Sequence, residues 1–178
     1  MDDMKTHLMK QNRKTTKFSL NGKIFLAKCV KCYDADTIHV VFHIFDQFSR
    51  FTCRLFGIDT AEIKSKDELE KKYAITARDY LRNLILDKLI IIKCGEFDKY
   101  GRLLVTIFNV NDTNELNLLG GNNDNNNNND NNNDNNASTY FNFKESINNQ
   151  LIIDKFAYNY NGKTKKPFVE WCDTSIYQ

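Results

Sequence analysis

The sequence predicts an α+β fold, mainly β, in which a five-stranded barrel carries two or three helices. Three observations predict it: three strand-length segments in a row, one long helical repeat after them, and two further strands before a second, shorter helical stretch. From Asn21 onward "GKIFLAKCVKCYDADTIHVVFHIFDQFSRFTCRLFGI" alternates or runs apolar in three pieces with turns at "YDAD" and "DQFS", so a meander of three antiparallel strands is expected. Ser65 followed by Glu68 reads as a capping box, and Ala74, Ala77, Leu81, Leu84 and Ile85 recur at helical spacing. Together they predict a helix over 66–86 with its apolar stripe on the sheet. "LIIIKC" and "RLLVTIFNV" supply the fourth and fifth strands around "GEFDKYG", and 145–154 reads as a short amphipathic helix. Five strands with a helix between the third and fourth is the order of a small OB-type barrel.

With 178 residues, 41% of them hydrophobic, the chain can bury one real core, so a single domain over 21–168 is expected between a flexible basic tail, 1–20, and a short tail, 169–178. The asparagine tract "GGNNDNNNNNDNNNDNNAST" has nothing apolar to bury, and 111–139 is read as a disordered insert within the domain. A surface loop tolerates such an insert, because loop closure costs only about 0.6 kcal/mol per doubling of length. The insert holds five acids and no Lys or Arg, so a formal charge of +2 for the chain leaves +7 on the rest, which favours a polyanionic partner. No window resembles a signal peptide or approaches the roughly 18 apolar residues of a membrane span. The expectation is an intracellular protein with no membrane attachment and no obligate protein partner.

Five cysteines without a secretion signal point to free thiols. Cys29 and Cys32 in "CVKC" lie three apart in a strand, where they should point to opposite faces, and no second cluster completes a zinc site. His39 and His43, four apart in a strand, share a face and read as packing residues.

The chemistry-bearing residues gather at strand ends. Asp34 and Asp36 in "YDADT" project to one side, and Asp59 and Glu62 arrive at the end of the third strand, so four carboxylates can share one rim. Crowded acids repel unless something positive sits among them, and oxygen donors suit a hard cation such as Ca²⁺ or Mg²⁺. Arg54 lies inside an apolar strand, where an unpaired guanidinium is costly, and Arg102 follows the turn "DKYG", in which Gly101 takes the position needing positive φ. Guanidinium forks match phosphate oxygens, and Lys99 and Tyr100 add an ammonium and a phenol beside them.

"DADT", "RLFGIDTAE" and "DKYGR", in this order and approximate spacing, together with "INNQLIIDKFAY", resemble the thermonuclease (staphylococcal nuclease-like) domain family over about 22–160, apart from the insert. The resemblance implies a five-stranded OB-like barrel and an endonuclease that hydrolyses DNA, RNA or both with Ca²⁺, ahead of Mg²⁺, leaving 5′-hydroxyl and 3′-phosphate ends. Single strands are the preferred substrate. It further implies that Asp36, Asp59 and the main-chain carbonyl of Thr60 bind the metal, with Asp34 behind them. Glu62 would orient or deprotonate water, Arg54 and Arg102 would hold the phosphate, and Lys99 and Tyr100 would contact a neighbouring one. Ala35 and Ala61 depart from the family's usual Gly and Pro, which bears on the geometry of the ligand loop. Past Tyr160 the chain is short; Trp171 is expected to pack on the barrel, and Lys163, Lys165 and Lys166 to be solvated or to contact phosphate. The alternative reading is a nucleic-acid-binding OB module that has lost catalysis.

Overall fold

In a computed structural model, residues 2–110 and 141–172 are described. The expected insert, 111–139, lies outside the described residues. Strands β1 (Ile24–Cys32), β2 (Thr37–Ile44) and β3 (Gln47–Leu55) form the antiparallel meander that the sequence predicts. A two-residue β4 (Ile58–Asp59) and helix α2 (Glu68–Ile85) follow, then β5 (Leu89–Phe97) and β6 (Leu103–Asn109). The strands close into a barrel in the order β1-β2-β3-β6-β5; β3 and β6 are parallel and the other neighbours antiparallel. A short helix α3 (Ile147–Ile153) and strand β7 (Tyr158–Asn159) complete the domain, β7 pairing with β4 outside the barrel.

The core is what period-two burial predicts. Ile38, Val40 and Phe42 of β2, Cys53 and Leu55 of β3, Ile90 and Ile92 of β5, and Leu103, Val105 and Ile107 of β6 point inward, and Leu81 and Ile85 of α2 join them. Helix α2 starts later than its sequence suggests. Its N-cap is Asp67, whose carboxylate accepts from the Leu69 and Glu70 N–H groups, whereas the Ser65 hydroxyl donates to Glu70 at 2.5 Å and serves the loop before the helix. The amino-terminal stretch contains an exposed helix α1 (Asp2–Met9), and Leu20 at its far end is buried in the barrel core. At the other terminus Trp171 packs on the rings of Tyr158, Phe168 and Tyr73 at 4.9–6.0 Å, so the aromatic cluster crosses the expected boundary at residue 168.

The expectation for Cys29 and Cys32 is corrected. A bulge between Cys29 and Lys31 adds one residue to β1, so both thiols point into the core with their sulfurs 3.8 Å apart. Burial also pushes the Cys94 thiol up to about 12 and the Cys53 thiol up as well. Because all four are buried, Cys29, Cys32, Cys53 and Cys94 are expected to resist an aqueous thiol reagent in the native protein and to react in denaturant, which a colorimetric thiol titration checks.

One polar residue ties the layers together. Asn148 of α3 is fully buried; its Oδ1 accepts from Ile107 N–H at 3.0 Å, and its Nδ2 donates to the carbonyls of Phe56 and Val105 at 2.9 and 3.0 Å. This amide satisfies the Ile107 N–H and the Phe56 carbonyl and adds a second bond to the Val105 carbonyl, which also accepts from Phe56 N–H at 2.8 Å. Asn148→Ala leaves the buried Ile107 N–H without this acceptor and takes a bond from each of two carbonyls, and is expected to lower stability by about 3 kcal/mol in urea denaturation.

Candidate active site

The site forms where β2 begins, β3 ends and β4 starts. Between β1 and β2 the Asp34 carboxylate accepts from the N–H groups of Asp36 (3.1 Å) and Thr37 (2.6 Å), closing a tight Asx-type turn that carries Asp36 to the barrel rim. Beyond β3 the chain turns at Gly57, with φ +78°, where an added Cβ would lie 3.1 Å from the Phe143 ring. That bend delivers Asp59 and Thr60 back towards Asp36.

A single guanidinium joins the two halves. Arg54 Nη1 lies 2.6 Å from Asp36 Oδ2, without a hydrogen-bonding alignment, and Arg54 Nη2 donates to Asp59 Oδ1 at 2.6 Å. All three side chains are almost fully buried. Asp36 also accepts from the hydroxyls of Thr37 (2.9 Å) and Thr60 (3.1 Å), and Asp59 from the Tyr158 hydroxyl at 2.9 Å. Burial pushes the Asp36 carboxyl up to about 7; Arg54 pulls it down, but the neighbouring Asp34 raises it further. Burial, and then the bond to Asp59, raise the Tyr158 phenol to about 12, so it stays a donor at neutral pH.

Arg102 stands on the same rim. Its Nη1 lies 3.5 Å from the Thr37 hydroxyl that serves Asp36, and its Nε donates to Asp98 Oδ2 at 2.7 Å. Asp98 Oδ1 accepts the N–H groups of Tyr100 and Arg102 (2.8 and 2.9 Å), which shapes the turn into β6, while Gly101 takes φ +79°. Lys99 and Tyr100 sit exposed on that turn, the ammonium 5.0 Å and the Arg102 guanidinium 5.4 Å from the Tyr100 ring centre. Glu62 is on the open side of the site. Its N–H donates to Glu70 of α2 at 3.1 Å, and its carboxylate meets Lys165 Nζ at 2.5 Å, which also lies 3.2 Å from Asp59. Burial would lower the Lys165 ammonium, but its bond to Glu62 and the charge of Asp59 outweigh that and raise it.

Within this paired set, Asp34, Asp36, Asp59, Glu62 and Asp98 outnumber Arg54, Arg102 and Lys165 by two charges. Among the described residues no group of three His, Cys, Asp or Glu side chains is placed to hold a metal ion. A cation here would take the oxygens of Asp36 and Asp59 together with main-chain or water oxygens.

Residues 52–120 match the family model described as staphylococcal nuclease homologue. Over that span the chain is similar to staphylococcal nuclease homologues. The match takes in Arg54, Asp59, Thr60, Glu62, Lys99, Tyr100 and Arg102; Asp34 and Asp36 precede it. No curated protein matches the chain.

Every sequence-predicted site residue lies at this rim or on its two flanking turns, but in different states. Asp34 works inside its own loop, and Lys99 and Tyr100 stay on the surface. Ala35 is buried without positive φ, so the turn is made without the glycine expected there, and Ala61 packs beside Tyr73, Ala74 and Phe168. Sequence reasoning missed Thr37, Glu70, Asp98 and Tyr158, which hold the site residues in place. Of these, Asp98 was findable, because an Asp two residues before "YG" is a side-chain acceptor at a turn.

Burial alone would raise the Asp98 carboxyl, but the bonds from Arg102 and Tyr100 hold it below the ordinary carboxylate range. A depressed native value stabilises the fold above the unfolded-state value and loses that contribution as pH falls through the native one. Asp98→Ala is therefore expected to cost about 2 kcal/mol near pH 7, with the gap from the unsubstituted protein closing in acid; urea titrations at both pH values check it.

Proposed function

We infer that the domain hydrolyses phosphodiester bonds in DNA, RNA or both, with little sequence preference, and takes a hard divalent cation, Ca²⁺ ahead of Mg²⁺, at Asp36, Asp59 and the Thr60 carbonyl. The observation that carries this reading is the reach of one buried guanidinium to both aspartates, with Arg102 a single hydroxyl away. The residues fit such an ion. Their donors are oxygens, their acids exceed their bases by two, and a carboxyl raised to about 7 despite a guanidinium at 2.6 Å is one that gains from more positive charge. Bound there, the ion supplies electrostatic stabilisation of charge developing on phosphate.

The chain's own groups do the rest. Arg102, aimed by Asp98, and Arg54 present N–H groups to the non-bridging oxygens of a phosphodiester. Glu62, held through its main chain by Glu70, accepts a hydrogen bond from a water molecule and takes its proton as the oxygen attacks phosphorus. The P–O5′ bond breaks, the leaving oxygen acquires a proton from solvent, and the products are a 5′-hydroxyl and a 3′-phosphate. Lys99 and Tyr100, on the exposed turn beside Arg102, meet the next phosphate along the strand. No side-chain pattern for reading base edges accompanies these groups, which accords with low sequence preference.

A second reading, a binding module without hydrolysis, is favoured by one observation: Lys165 already neutralises Glu62 and Asp59 from the carboxyl-terminal segment. The two separate in one assay. Purified protein is incubated with single-stranded DNA and RNA, with Ca²⁺ or with chelator. Cleavage that requires Ca²⁺, and falls by roughly 10²- to 10⁴-fold in Arg102→Ala and in Glu62→Gln, supports hydrolysis. Cleavage indifferent to chelator and to both substitutions overturns it, and strand binding without cleavage, in the unsubstituted protein and in Lys165→Ala alike, establishes the binding module.

A further inference from the structure

Alternate residues of a strand share a face, and on β2 and β3 the inner set is the barrel core. The outer set pairs in four rows: Thr37 with Arg54, His39 with Thr52, Val41 with Arg50, and His43 with Phe48. The first row belongs to the site just described. The others lead away from it along the barrel wall, and rows two residues apart are spaced so that the last lies about 20 Å from the first. β1 widens this face, setting Lys31 beside His39 and Lys28 beside Val41.

Three features distinguish this wall from an ordinary solvated face. Its four rows and the flanking β1 positions contain no Asp or Glu. Lys28 reaches an exposed Asp87 at 3.6 Å, but Lys31 and Arg50 make no ion pair among the described residues. His39 lies between those two cations and is held below its ordinary value, by burial first and then by Lys31 and Arg50. Finally, Phe48 stands 79% exposed at the far end, edge-on to His43 at 5.3 Å. A large ring left bare one row from Arg50, with Lys31 over the Tyr33 ring at 5.8 Å farther along the face, loses hydrophobic stabilisation and is matched by a ligand with a flat apolar face and negative charge.

We propose that the outer face of β1, β2 and β3, from Arg54 out to Phe48, is a binding track for single-stranded nucleic acid that feeds the candidate active site. The track rests on the nucleic-acid reading above for its occupant. Phosphates lie along Lys31 and Arg50, and a base stacks on Phe48. The length of the face is within reach of about four nucleotides, the lower end of single-strand sites on barrels of this type. A duplex, whose bases are already stacked on each other, offers nothing to Phe48. An acidic peptide offers charge but no flat face.

The test measures fluorescence anisotropy of a labelled dT12 strand in chelator, so that binding is read without cleavage. Phe48→Ala is expected to weaken binding about tenfold, and Arg50→Ala to reduce the slope of log affinity against log salt by about 0.7. Phe48→Tyr and Arg50→Lys are expected to bind as the unsubstituted protein does. Both positions are exposed, and circular dichroism verifies that the variants keep the fold. Unchanged affinity in the double Phe48→Ala, Arg50→Ala variant overturns the track, as does displacement of dT12 by polyglutamate at equal charge concentration. The Ca²⁺ arm separates the two proposals. Loss of binding in the variants of a protein that never cleaves removes the hydrolase and keeps the track; cleavage with a KM for dT12 that ignores both substitutions removes the track and keeps the hydrolase.

Discussion

The Arg54 guanidinium is the constraint around which the functional end of the barrel is organised. A charge with little access to water must be paired, and removing either partner of such a pair costs more than the pair itself contributes. Arg54 sits near the end of β3, Asp36 just before β2, and Asp59 in β4, so pairing the one cation holds three separately folded segments at one point. Asp59 extends the chain of dependence, because its second oxygen takes the Tyr158 hydroxyl and Tyr158 lies in β7, the strand paired with β4. The carboxyl-terminal segment is thus fastened to the site by the same network that keeps Arg54 satisfied. Its ring packing, Tyr158 and Tyr73 against Trp171 and Phe168, supplies the apolar part of that attachment.

The site is composite because the barrel offers side chains at strand ends and the loops do the aiming. Each loop has its own device. Asp34 folds the turn before β2 by accepting two main-chain N–H groups, Gly57 allows the bend after β3, and Asp98 with Gly101 makes the turn that places Arg102. These devices use acids as structural acceptors, so only some of the carboxylates crowded near the rim remain for chemistry. Asp34 is occupied with main-chain groups and Asp98 with main-chain groups and Arg102, whereas Asp36 and Asp59 meet Arg54, and Asp59 and Glu62 meet Lys165.

The five barrel strands and the long helix were legible in the sequence, since burial periodicity and turn residues act locally, and the motifs "DADT", "RLFGIDTAE" and "DKYGR", each with its own turn, gather at one rim. What was not legible depends on contacts between distant segments. The bulge in β1 that sends Cys29 and Cys32 to one face comes from pairing with β2, and no residue in "CVKC" announces it. Ser65 looked like a cap because it precedes a glutamate at the right spacing, yet Asp67 is the nearer and stronger acceptor and starts the helix two residues later. Lys165 resembled its neighbours in a solvated cluster. Its placement against Asp59 and Glu62 follows from aromatic packing and from the main-chain bond of Lys166 to Tyr158, both long-range facts.

Lys165 bears on both of the proposed readings, hydrolysis and binding alone. An ammonium between buried Asp59 and exposed Glu62 lowers the repulsion between these neighbouring acids, which favours the folded site in the absence of other cations. The same contact ties up Glu62, the group that the proposed hydrolysis uses to take a proton from water. Because Lys165 sits on a half-exposed side chain at the end of a flexible stem, it can swing out at small cost, whereas Arg54 is locked by burial. An arriving strand brings phosphate oxygens that compete for the ammonium. Under the proposed hydrolysis, strand binding and release of Glu62 would then be one event, because the ammonium that pairs with Glu62 is the exposed cation nearest the arriving phosphates.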